Sequence, residues 1–73
     1  MTDTLGDALP REMARVRDQV MPTYLALQNT PGVWVEPALM MMRHSLDAAA
    51  KAMAEGDVVA MLRAHEDLKG ITG

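Results

Sequence analysis

Cysteine is absent from this chain of 73 residues, and so is phenylalanine. Without cysteine there can be neither a disulfide nor a thiolate metal site. Two histidines are the only imidazoles, so a structural zinc would have to draw its other ligands from carboxylates. Basic residues are in deficit: seven Lys and Arg stand against ten Asp and Glu, a formal charge of −3. A nucleic-acid binder ordinarily carries a basic stripe that displaces counterions from phosphates. The nearest approach here is Arg11, Arg15 and Arg17, which makes nucleic acid a disfavoured partner. No run of about 18 apolar residues occurs, so no membrane span is expected. Met1 to Asp7 shows no basic region followed by an apolar core, unlike a secretory signal. With cysteine missing as well, the expected location is the cytoplasm.

What is present suffices for one domain. A domain this small buries only about 60% of the surface of its unfolded chain, and folds of this size usually rely on a staple. With disulfides excluded and metal disfavoured, oligomerisation is the staple left. A homodimer or a tight complex is therefore expected.

Helical periodicity dominates the pattern. Residues 1–8 are polar and read as a flexible N-terminus, with a single helical domain over 9–73. Pro10 suits a first helical turn, and Glu12 complements the dipole there. Leu9, Met13, Val16, Val20, Tyr24 and Leu27 then follow at spacings of three and four, one stripe of a helix over about residues 9–28. Pro22 lies inside that stripe, so the helix is expected to kink near Met21–Pro22 or else to break in two. Pro31-Gly32 marks a turn in a connector from Gln28 to Glu36. Val33-Trp34-Val35 is too short to make a sheet alone.

Pro37 opens a second helix, about residues 37–55, with the stripe Leu39, Met42, Leu46, Ala49 and Met53. Asp47 and Lys51 are placed for an ion pair on its outer face. Gly56 ends it, and Asp57 is an N-cap for a third helix, about residues 58–69. The inward set expected there is Val58, Met61, Leu62, His65 and Leu68. Gly70 ends this helix, with Ile71 folding back as in a Schellman cap. The fold class is therefore all-α: a compact three-helix bundle made of a kinked first helix and an αα-hairpin, expected to be dimeric.

The methionines carry the strongest functional hint. There are eight, with Met40, Met41 and Met42 consecutive. Three successive residues span about 200° of a helix, more than one intramolecular face covers. At least one of them should face outward, where a flexible, polarisable side chain suits an adaptable binding surface. Trp34, between Val33 and Val35 in the connector, is either a binding anchor or a plug for the open end of the bundle. Trp34, Met40, Met41, Val33 and Val35 are thus the expected partner-binding residues. Arg11, Arg15 and Arg17 are candidate contacts for nucleic acid or an acidic partner, against the simpler reading of a solvated face with local ion pairs.

No catalytic constellation is evident. His44 and Ser45 are adjacent and diverge on a helix. Glu66 and Asp67 are adjacent carboxylates on an exposed side, not a facing pair. The five glycines are isolated and form no phosphate loop. No cofactor, metal or enzymatic activity is expected.

The segments from Met41 to Ala49, from Ala52 to Asp57 and from Val58 to Gly70 (VVAMLRAHEDLKG) resemble short uncharacterised helical proteins encoded by bacteriophages and prophages. The shared features are a helix ending in an Ala-Glu-Gly-Asp turn and a second helix with a Leu-Lys-Gly stop, covering roughly the C-terminal half. The resemblance implies a phage accessory protein that binds and modulates or inhibits a host protein, such as a defence complex or a regulator. It brings no catalytic residues. The alternatives are a small nucleic-acid-binding regulator and a structural or assembly protein.

Overall fold

The computed structural model describes residues 4–71. Helix α1 (Leu5–Arg15) runs on through a π-helical turn (Val16–Val20) into α2 (Met21–Leu27). A connector leads to α3 (Glu36–Glu55), and a two-residue link joins it to α4 (Val58–Lys69). With α1, the π turn and α2 forming one long rod, this is an all-α arrangement of three helices. No strand occurs among the described residues.

The rod starts earlier than the sequence pattern indicates. Of the N-terminal segment expected to be flexible, residues 1–3 lie outside the described residues, and Leu5 to Ala8 are helical. Thr4 holds the N-cap position in an extended conformation, and its carbonyl accepts from Asp7 N–H (3.0 Å) and Ala8 N–H (2.8 Å). Its hydroxyl donates to Asp7 Oδ2 (2.9 Å), which fixes a carboxylate in the first turn, where the helix dipole favours it. Leu5 packs against the core, so tertiary burial extends the helix upstream of Pro10.

Pro22 neither breaks the rod nor ends it. Proline in a regular α-ladder loses one N–H and crowds the carbonyl four residues back. The chain meets this with the π turn just upstream, where Met21 N–H donates to Val16 O, five residues back. Val20 and Met21 keep right-handed helical backbones, and both Val16 and Val20 stay buried on the inward stripe.

The links between helices follow local rules. Thr30 O accepts from Val33 N–H across Pro31-Gly32, and Gly32 has φ +82°, as a type II turn requires. Gln28 Nε2 donates to Glu36 Oε1 (2.8 Å) and ties the ends of the connector together. Pro37 sits in the first turn of α3, where an N–H is dispensable. At the other end Gly56 takes φ +67° and donates to Met53 O, while Asp57 N–H reaches Ala52 O. That pair of bonds is the Schellman motif. It was expected at Gly70, which instead stays right-handed at φ −75°. Asp57 then caps α4, its carboxylate accepting from Ala60 N–H (3.1 Å).

Leu9, Val16 and Val20 from the rod meet Met42 and Ala49 of α3 and Ala64 and Leu68 of α4 in the buried core. Ser45, Ala49 and Ala52 on α3 and Ala64 on α4 are buried small residues that allow the hairpin helices to approach closely. This corrects part of the inward face expected for α4. Leu68 is buried and Met61 and His65 are half-buried as expected, but Val58 and Leu62 are exposed and the buried line runs through Ala64, with Ala60 half-buried. The fold is elongated, 43 × 25 × 16 Å. Three helices around one small core cannot cover every apolar side of each.

Candidate functional site

Apart from Leu25, Leu27 and Met53, the exposed large apolar side chains among the described residues fall in two areas. The first lies where the connector enters α3. Trp34 is 79% exposed, Met40 68% and Met41 65%, with Val33 partly exposed beside them. Met42, the third of the triplet, is buried in the core. The helix thus divides the three methionines as its 100° step demands, one inward and two outward. Trp34 does not plug the bundle, since its side chain stands in solvent while Val35, next to it in sequence and already right-handed in backbone, turns inward. Val35 is buried at the N-cap position of α3, so it belongs to the core and not to a partner-binding surface.

Of these exposed residues Met41 borders an open hollow of about 260 Å³, lined by Tyr24, Ala38, Met41, Met42, Gly70 and Ile71. It forms where α2, the start of α3 and the end of α4 converge. No charged side chain lines it.

The second apolar area is the outer face of α4, where Val58, Val59 and Leu62 are all exposed. They sit three and four residues apart on one surface of the helix. The sequence reading missed this face by counting Val58 and Leu62 as core. A signal was there: Val58, Val59, Met61 and Leu62 span more of the circumference than one seam buries, the same angular argument that separates the methionines.

The arginine row has a different fate. Arg15 Nε donates to Glu12 Oε2 (2.8 Å), and its Nη2 donates to the carbonyls of Leu68 (2.8 Å) and Ile71 (2.9 Å). Leu68 lies in the last turn of α4 and Ile71 just beyond it, where the negative pole of the helix dipole favours a cation. Arg15 therefore caps a helix more than fifty residues away in sequence, and its role is structural. Arg17 pairs with Asp18 through Nε (2.9 Å) and Nη2 (3.1 Å) on the open surface. That hydrogen bond raises the Arg17 pKa and lowers that of Asp18. Arg11, Glu12, Arg15 and Asp18 line a second hollow, of about 350 Å³, together with Ala14 and Gln19. Cations and carboxylates alternate there, so it presents no uniform field to an anion.

The remaining titratable groups do not converge. His44 is exposed while its neighbour Ser45 is buried. Glu66 and Asp67 are both exposed on α4. Lys51 reaches Glu55 (3.9 Å) rather than the Asp47 partner expected for it. Among the described residues no three His, Asp or Glu side chains group closely enough to hold a metal ion. No described helix is long and apolar enough to cross a membrane. Comparison with family models, with curated proteins and with solved structures returns no match.

Proposed function

We propose that this chain is a non-catalytic protein-binding module whose binding surface is the apolar end formed by Trp34, Met40 and Met41. The observation that carries the reading is the exposure of all three, with Met41 also lining an uncharged hollow, on a domain too small to cover them. Tryptophan is the residue type most enriched at binding hot spots, and methionine adapts to its partner's shape. The resemblance of the C-terminal half to phage-encoded proteins supplies the partner class: a host protein in the cytoplasm, which the chain modulates or inhibits.

A nucleic-acid role draws no support from the arginine row, since Arg15 is engaged with the end of α4 and Arg17 with Asp18. The test is affinity capture from a bacterial lysate with a high-salt wash, using the native chain beside Trp34→Ala and Met41→Asp. One stoichiometric host protein held by the native chain and lost by both variants is the expected result. Equal capture by all three would show that the binding surface lies elsewhere.

A further inference from the structure

We propose that the apolar end binds a second copy of this chain, each copy inserting Trp34 into the other's hollow between Tyr24, Ala38, Met41 and Ile71. The inference rests on the reading of this end as a protein-binding surface and names one partner for it.

Three observations select this occupant. The first is fit. A dry cavity of about 150 Å³ holds benzene, and scaling by heavy atoms puts indole near 225 Å³. The hollow offers about 260 Å³ and has no charged lining.

The second is placement. Trp34 lies four residues before Ala38, so the projecting ring and the hollow occupy the same end of the molecule. A two-fold axis passing between them exchanges both contacts at once, the self-complementary geometry of an isologous dimer. The acidic side chain nearest in sequence, Glu36, is tied back to Gln28.

The third is area. Trp34, Met40 and Met41 bring roughly 400 Å² per copy, and Val33, Tyr24 and Ile71 add on the order of 100 Å². Two copies together then bury about 1,000 Å², the lower limit for a specific interface. The Val58, Val59 and Leu62 face brings only roughly 200 Å² per copy and falls well short of that limit. An interface of this size implies a dissociable dimer, one that a tighter-binding partner can displace.

Trp34 is the only tryptophan, so its fluorescence reports the contact directly. Sedimentation velocity and emission spectra are recorded together across a dilution series of the native chain. Dimers with blue-shifted emission should give way to monomers with the red-shifted emission of solvated indole. Trp34→Ala should weaken self-association by at least about 30-fold. Ala38→Phe, which fills the hollow, should do the same with Trp34 intact. Met41→Lys, at the rim, covers the case in which the filled hollow does not fold.

Mixing Trp34→Ala with Ala38→Phe or Met41→Lys should restore partial association, because one Trp34 and one intact hollow remain. Three results would overturn the inference: monomers at every concentration, dimers whose emission does not change on dissociation, or monomers with blue-shifted emission, in which Trp34 fills its own hollow. A monomer that still captures a host protein through Trp34 would sink this inference and leave the binding reading standing. A Trp34-dependent dimer with no host partner would do the reverse.

Discussion

The seam between the rod and α4 and the end around Trp34 are opposites in how far their groups are satisfied. At the seam, Leu9 and Val16 pack with Ala64 and Leu68, and the carbonyls ending α4 receive the Arg15 guanidinium. Around the start of α3, one large ring and two methionines face solvent, and Met41 borders an unfilled hollow that the residues after α4 also line. The arginine row differs from both readings its sequence allows, a ligand contact or a solvated face with local pairs, because Arg15 reaches across to the end of α4. The difference teaches that in a domain this small a polar side chain can serve the fold while apolar ones are left exposed.

The largest effect that could break this contrast lies in the seam. Leu68 is fully buried, and Leu68→Ala should cost about 2–5 kcal/mol, read as a shift in the urea midpoint at constant slope. A loss below about 1 kcal/mol would mean that the seam is loosely packed and the contrast overstated.

Arg15→Ala is the sharper test. Hydrogen bonds to charged groups are worth about 1.5–3 kcal/mol, and partial solvent exposure of Arg15 places its contribution toward the lower end. Arg15→Lys should recover only part of this, because an ammonium lacks the planar fork that reaches Glu12 and two carbonyls together. If Arg15→Ala were as stable as the native chain, Arg15 would return to the list of residues free to serve a ligand.

How much of this was legible in the sequence depends on how local each cause is. The ends of α3 and α4 were readable because Pro37, Gly56 and Asp57 act on their own turns. Gly56→Ala, which meets no steric obstacle beyond its φ of +67°, should cost about 1–2 kcal/mol from that angle alone. The inward face of α4 was only half readable: the angular spread of its apolar residues requires some of them to stay outside but does not say which. Two apolar sides compete there, and close approach to Ser45, Ala49 and Ala52 selects the side bearing Ala64 over the bulkier one bearing Val58 and Leu62. Arg15's partners lie at the far end of the chain, so no local pattern reveals them. Of the expected binding residues, Met40 and Met41 are exposed in line with the angular argument, Trp34 and Val33 are exposed without it, and Val35 is buried in the core.

At the open end the same substitution that removes association should leave the fold alone. Trp34→Ala, measured at a concentration where the native chain is monomeric, should change stability by no more than about 0.5 kcal/mol, since the ring makes little contact within its own chain. A larger loss would mean that Trp34 serves the bundle, and the contrast between the two regions would weaken.

The smallest effect comes from the arginine two residues beyond Arg15. The Asp18 pKa is lowered by its hydrogen bond to Arg17, so the stability this pair contributes is present above the unfolded carboxylate pKa and is lost as pH falls through the folded value. Both side chains lie open to water, so salt screens what the pair provides. Arg17→Ala should therefore shift the melting temperature only slightly at neutral pH and low salt, and not at all in acid or at high salt. The carbonyls that receive Arg15 do not titrate, so the cost of Arg15→Ala should persist into acid wherever the native chain stays folded. Parallel melting curves of the two variants at neutral and acid pH separate the roles. If both lost their effect in acid, Arg15 would act through its carboxylate neighbour and not through the end of α4. If neither did, the Arg17 pair would be less open to solvent than its exposure indicates.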